Sequence, residues 1–275
     1  MAGQSLSFGK DFERLVDQAS RTAALLWQKG WAERNAGNLS VNVTEHVPVE
    51  VPLGLFRFIE TPVEGEELAG ESFLVTASGA RFRDVADNPV RWLGVARVSK
   101  KLDGYYLLWG GKDSDNFRPT SELPTHFAVH RLLRQKGAGR TTLLHTHPDE
   151  LIALSHLKEY QDEAKLNRAL WGMLPEVKMY VPSGLGYVPY RAPGSRELAD
   201  ATVALFGKNR TAVLWEKHGA LALGRNPLDA FDTIDVLNKA ATVRLKCLMA
   251  GAEPEGLGPE AMAELEKAFP PPANL

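Results

Sequence analysis

A single cysteine, Cys247, stands among 275 residues, so no disulfide can form within the chain and a cysteine-based metal site is excluded. Cys247 falls in an apolar helical pattern and reads as a small buried hydrophobe. An excess of positive charge is also missing: 32 Lys and Arg face 34 Asp and Glu, for a formal charge of −2. Phosphate backbones are held by many basic contacts, so a nucleic-acid partner is not expected. No stretch approaches the roughly 18 apolar residues of a membrane span, and the first fifteen residues carry charges where a secretory leader needs an apolar core. A cytoplasmic protein with no membrane partner is expected. Internal repeats, low-complexity tracts and dividing linkers are lacking too, which predicts one domain over residues 1–275.

What is present is enough apolar material, 44% of the chain, for a substantial core. Phe12, Leu15, Val16, Ala19, Ala23 and Leu26 recur at helical spacing from Asp11 to Lys29, with Gly30 as a stop. The Asn35-Ala36-Gly37-Asn38 turn leads into alternation at Leu39, Val41 and Val43, a strand with one buried face. Residues 47–70 lack a clear period and read as irregular, with at most one strand around Leu55–Ile59. Strands are expected at Phe73–Thr76, Trp92–Val98 and Tyr105–Trp109, the last two as a hairpin. A helix should start near Thr120-Ser121 and end at Gly137, followed by a strand at Thr141–His147. Helices at Asp149–Tyr160 and Asp162–Met173 precede a strand at Val177–Val181 and a glycine-proline loop through Pro193. The remaining expectations are a helix at Ser195–Phe206, strands at Thr211–Trp215 and Ala220–Leu223, and helices at Pro227–Ala250 and Pro259–Phe269. Strands that occur both in hairpins and between helices predict an α/β fold of three layers, with a mixed, largely antiparallel central sheet.

Side chains alternate along a strand, so His145 and His147 should point to one face and converge on a common ion. A catalytic zinc takes three protein ligands and keeps a position open. Of His46, His126, His130, His156 and His218, only His218 combines a β-rich setting with an adjacent glycine, and it is the expected third ligand. His126 and His130, four apart, fit a partly buried helix face better than a metal pair.

Three loops suit an anion. Pro119-Thr120-Ser121-Glu122 opens a helix, where free amides and the macrodipole favour negative charge. Asn35-Ala36-Gly37-Asn38 and Thr76-Ala77-Ser78-Gly79 each set small residues beside a carboxamide or hydroxyl, a composition that can cradle phosphate. None of the three matches the P-loop or dinucleotide fingerprints.

Taken together, Gly30-Trp31-Ala32-Glu33-Arg34-Asn35-Ala36-Gly37-Asn38-Leu39-Ser40, Thr76-Ala77-Ser78-Gly79, Pro119-Thr120-Ser121-Glu122-Leu123-Pro124, His145-Thr146-His147 and Lys217-His218-Gly219 resemble the class II aldolase and adducin family in order and approximate spacing. The first and third segments resemble most the branch acting on L-rhamnulose 1-phosphate, rather than the fuculose, ribulose or dehydratase branches. The resemblance implies one Zn2+ per subunit held by His145, His147 and His218, with Glu122 as the catalytic carboxylate. It implies a phosphorylated ketose substrate, its phosphate received by Asn35, Gly37, Asn38, Ser78, Gly79, Thr120 and Ser121. A second acidic residue, Glu176, would come from a neighbouring subunit of a homotetramer. Ala36 stands where the family often has a second glycine, and Thr146 where a cysteine can lie between the histidines. The stretch from Glu45 to Gly70 resembles the family least. A non-enzymatic adducin-like module is the contrasting possibility, and it predicts loss of the ligands or of the acidic residue, all of which are present.

Overall fold

The computed structural model describes residues 6–111, 116–139 and 141–270. The chain opens with α1 (Lys10–Lys29) and β1 (Asn38–Asn42), then β2 (Arg57–Glu60) and β3 (Ser72–Thr76). Two short helices, α2 (Phe82–Asp87) and α3 (Pro89–Trp92), precede the hairpin of β4 (Leu93–Val98) and β5 (Gly104–Gly110). Next come α4 (Leu123–Lys136), β6 (Thr142–Thr146), α5 (Asp149–Ser155), α6 (Glu163–Met173) and α7 (Pro175–Tyr180). The last third holds β7 (Leu185–Val188), α8 (Arg196–Gly207), β8 (Ala212–Trp215), β9 (Gly219–Gly224), α9 (Pro227–Met249) and α10 (Pro259–Ala268).

All nine strands form one sheet in the order β2-β5-β4-β3-β1-β6-β9-β8-β7. Every neighbouring pair is antiparallel except β7 and β8, so the expected mixed, largely antiparallel sheet is what the chain builds. Period-two alternation sorts its side chains onto two faces. Leu39, Val41, Leu74, Leu144, Leu214, Ala220 and Ala222 pack with Ala19, Ala23 and Leu26 of α1 and with Ile234 and Leu237 of α9. On the opposite face Leu143, Val213, Trp215 and Leu221 pack with Val129 and Leu133 of α4 and Leu198 and Phe206 of α8. That division gives the three layers, and it puts His145 on the α4 face because it lies two residues from Leu143.

Several local expectations are corrected. Val177–Val181 is not a strand: Pro175 supplies the fixed first position of α7, and only Val177 among its six residues is buried. An apolar run this short carries no decisive period. The loop expected after it contains β7, whose four residues are all buried and therefore show no alternation. The helix expected over Asp149–Tyr160 stops at Ser155, with a separate 3-10 turn at Lys158–Gln161. Trp92 ends α3 rather than starting a strand, and Asn88 caps that helix by accepting from the Arg91 amide. Residues 47–70 are mostly irregular as expected, with short 3-10 turns around β2. Cys247 is only half-buried on α9.

Candidate metal centre

The C-terminal end of β6 lies in the middle of the sheet, between the start of β1 and the start of β9, with Asn38 opposite His145 and Ala220 opposite Thr146. His145 is therefore buried. His147 lies one residue beyond the strand, which corrects the expectation that both histidines share a strand face; its amide donates to the Trp31 carbonyl at 3.0 Å. His218 sits in the turn joining β8 to β9, where Lys217 takes a left-handed conformation (φ 57°) and the His218 amide closes the turn onto Trp215. The next residue must be glycine: a Cβ on Gly219 would stand 2.5 Å from the Thr146 carbonyl, 2.8 Å from the His147 ring and 2.9 Å from the His145 ring.

The three rings converge. Their centroids are 5.0–5.2 Å apart, and one nitrogen from each lies within 4.8 Å of the others. Two of the rings are oriented from behind. The Nδ1–H of His145 donates to the Ala220 carbonyl at 3.1 Å and that of His147 to Glu33 Oε1 at 2.7 Å, leaving both Nε2 atoms without a hydrogen-bond partner among the described residues. The Nδ1 of His218 is buried with no partner in the described residues. Burial holds His145 far below the ordinary imidazole range, and the neighbouring His147 and His218 add to this against the Ala220 hydrogen bond. Burial, then His147, lowers His218 as well. Two imidazolium charges about 5 Å apart would repel by roughly 3 kcal/mol at an effective dielectric near 20, in addition to their desolvation. Three converging imidazoles, two of them held toward the neutral form and one with an unsatisfied buried ring atom, are a donor set that a divalent ion such as zinc accepts, so these residues fit a metal.

Glu122 completes this end of the sheet. It is the residue just before α4, with Oε2 4.0 Å from His145 Nε2 and 2.9 Å from the Asn38 carboxamide nitrogen that donates to it. The anion-suited loops meet here too. Ala77 and Pro119 form an isolated bridge, the Ser78 amide donates to the Arg118 carbonyl at 2.7 Å, and the Thr120 amide donates to the Thr76 carbonyl at 2.9 Å. Thr76 Oγ1 in turn accepts from the Leu39 amide, linking both loops to the turn before β1. In that turn Gly37 has φ 79°, and a Cβ there would stand 2.7 Å from both the His145 carbonyl and the Phe82 ring. Gly79 also has positive φ but faces open space. Asn35, Ser78 and Ser121 are exposed, whereas Thr120 is buried and accepts from the Glu122 amide. The carboxamide of Asn38 is engaged with Glu122, so its side chain is already occupied.

Glu176 is not brought to this end. It is exposed on α7 and lines a cleft with Lys136, Leu223 and Arg225, at the far end of β9 from Gly219, roughly 20 Å along the strand. Sequence reasoning passed over Glu33 as a functional residue. It lies inside the Gly30–Ser40 motif, but no local pattern announces a bond that spans 114 residues. His46 and His156 stay outside the cluster, as expected.

The family model described as class II aldolase and adducin N-terminal domain matches residues 17–245. The chain is 38% identical to a rhamnulose-1-phosphate aldolase of Bacteroides thetaiotaomicron over 258 residues, covering 92% of this chain and 93% of that protein. It is 34% identical to one from Enterococcus faecalis, over 92% and 90% of the two chains. Among solved structures, a sugar-phosphate aldolase from Thermotoga maritima superposes with a TM-score of 0.75 at 30% identity, over 90% of this chain and all of that one. An L-fuculose-1-phosphate aldolase from Thermus thermophilus shares the fold, with a TM-score of 0.53 at 22% identity over 88% and 98% of the two chains.

Proposed function

The chain belongs to the class II aldolase and adducin family as an enzyme that cleaves a carbon–carbon bond, and from that premise we propose that its substrate is L-rhamnulose 1-phosphate, split reversibly into dihydroxyacetone phosphate and L-lactaldehyde. The observation that carries this reading is the convergence of three imidazoles beside the Glu122 carboxylate, where three anion-suited loops also meet. The sugar itself is chosen by the likeness to rhamnulose-1-phosphate aldolases over nine-tenths of the chain.

Breaking the bond between C3 and C4 removes a proton from the C4 hydroxyl, turns C4 into the aldehyde carbon and leaves the electron pair as an enediolate on the three-carbon phosphate. A zinc ion held by His145, His147 and His218 would supply the Lewis-acid charge that an enediolate oxygen requires. Glu122 delivers a proton to C3 of the enediolate, and in the condensation direction removes it from the same carbon. The Asn38 amide holds one oxygen of Glu122, which leaves the other for that transfer. Asn35, Gly37, Asn38, Ser78, Gly79, Thr120 and Ser121 border the phosphate position, Asn38 through its backbone. Binding a group that does not react aligns the carbon that does. Glu176 lies too far along its own sheet to act at its own centre, so we assign it to the C4 hydroxyl proton in an adjoining copy of a homotetramer.

The test is a coupled assay for dihydroxyacetone phosphate on L-rhamnulose 1-phosphate and L-fuculose 1-phosphate side by side, before and after chelation and zinc reloading. Preferential turnover of the rhamnulose ester by the zinc-loaded protein is expected. Release from neither ester would overturn the aldolase reading, and preference for fuculose would overturn the sugar. Glu122→Gln is expected to lower kcat by about 100- to 10,000-fold while metal content stays.

A further inference from the structure

A second set of buried polar groups lies behind Glu122, between α4 and β1. Glu122, His126, His130 and Arg134 follow at four-residue spacing, one above the other on the face of α4 that meets the sheet. Opposite them, Asn38, Ser40 and Asn42 alternate along β1 onto the same face. The two rows interlock. Asn38 Nδ2 donates to Glu122, and Asn38 Oδ1 lies 2.5 Å from His126 Nε2. His126 Nδ1 is 2.6 Å from Ser40 Oγ, which is 2.7 Å from His130 Nε2. Beyond His130, Asn42 donates to Glu71, and Arg134 pairs with the same carboxylate, at the rim of a cleft of about 670 Å³ that opens at the far end of the sheet.

The direction of every bond follows from its ends. A carboxylate only accepts, so the amide group of Asn38 faces Glu122 and its oxygen must accept from His126 Nε2–H. A neutral imidazole has one N–H, so His126 Nδ1 is bare and accepts a hydrogen bond from the Ser40 hydroxyl. Ser40 Oγ is then free to accept from His130 Nε2–H. Both rings are neutral, because burial lowers His126 to about 4, against the opposing charge of Glu122, and His130 to about 3. All donors point toward Glu122. If the Asn38 carboxamide rotated, its oxygen would face the Glu122 carboxylate and its NH2 would face the N–H of His126, so both bonds would become repulsive at once.

We propose that His126, through Ser40 and His130, is a positioning residue that fixes the Asn38 carboxamide in the one orientation that donates to Glu122 and so holds that carboxylate at the reacting carbon. The proposal rests on the assignment of Glu122 as the proton-transfer group. The amide in the middle of the chain carries no proton onward, since passage through it would require an imidic acid; the chain therefore orients and does not conduct.

Three measurements on the zinc-loaded enzyme test it. In His126→Phe, which keeps a ring but removes the donor, kcat should fall about 10- to 100-fold, the cost of one charge-linked hydrogen bond, with little change in KM. His126→Gln restores an N–H donor and should recover part of that loss. Nitrogen-resolved NMR of isotope-labelled histidine in the unmodified enzyme should show both His126 and His130 as Nε2–H tautomers, a readout that does not depend on how any variant folds. A wild-type kcat in a folded His126→Phe enzyme, a rise in KM in place of the fall in kcat, or an Nδ1–H tautomer at His126 would each overturn the positioning role. If Glu122→Gln is inactive while His126→Phe is not, the inference fails and the function stands. If Glu122→Gln is fully active, the assignment of Glu122 fails, whatever the tautomers show.

Discussion

Two groups of histidines gather near the centre of the sheet, and they are handled in opposite ways. His126 and His130 spend their Nε2–H bonds on Asn38 and Ser40, and His126 spends its second nitrogen as well. His145 and His147 use one nitrogen each on Ala220 and Glu33 and keep the other bare, while His218 has a buried nitrogen with no partner among the described residues. Both groups are desolvated and neutral where a shift is seen, so neither burial nor protonation separates them. What separates them is where the remaining capacity points: His126 has both nitrogens engaged by protein, whereas the free nitrogens of His145 and His147 converge with one of His218. A ring whose every site is satisfied specifies packing, and a ring held from behind with a bare nitrogen in front is prepared for a ligand.

The comparison breaks most visibly if the two groups exchange roles. His145→Ala should lose the bound metal and lower turnover on the order of 1,000-fold or more, whereas His126→Phe should keep one metal per chain. Elemental analysis of both purified variants checks this, and full metal content in His145→Ala would undo the ligand assignment. A smaller effect is expected one shell out. Glu33 is exposed, so its bond to His147 adds little to folding, but Glu33→Gln leaves a weaker acceptor for the Nδ1–H that orients the ring. Zinc affinity should fall about 10- to 100-fold in a chelator competition, with the fold unchanged.

These roles were unevenly legible in the sequence. β1 was legible from the alternation of Leu39, Val41 and Val43 with polar residues, whereas β3, β8 and β9 were placed as short apolar runs, all of whose residues are buried. β7 was hidden because its four residues, one of them a glycine, lie within a stretch rich in glycine and proline, and α7 because six residues hold fewer than two helical turns. His145, His147 and His218 were found, though the reason given for the first two was incomplete: His147 reaches the cluster from beyond the strand end. His126 and His130 were read as a partly buried helix face and are fully buried, and the Ser40 and Asn38 that bond them are 86 to 90 residues away. Spacing reports which side chains share a face. It does not report what stands across from that face, and Glu33 was missed for the same reason.

His126 and His130 also have a pH signature of about 1 kcal/mol per pH unit for each ring. Both folded values lie below the unfolded value of 6.5, so their contribution is complete above that pH. As pH falls below 6.5 the unfolded chain takes up protons that the folded chain refuses, and stability declines until about 4 for His126 and about 3 for His130. Urea unfolding at stepped pH should therefore show a shallower decline in His126→Phe than in the unmodified protein. Parallel slopes would mean that His126 is already protonated in the folded state, and the directional chain to Glu122 could not exist.

The smallest effect is expected at a histidine of neither kind. His156 is exposed at the end of α5, where its backbone amide completes the last turn and its side chain faces solvent. Its side chain is exposed and has no hydrogen bond or ion pair among the described residues, so His156→Ala should change stability by less than about 0.5 kcal/mol and leave zinc content and kcat unaltered. Differential unfolding together with elemental analysis measures both. A loss of metal in this variant would show that exposed imidazoles also recruit the ion, and an unused nitrogen, rather than one aimed from behind, would then suffice to make a ligand.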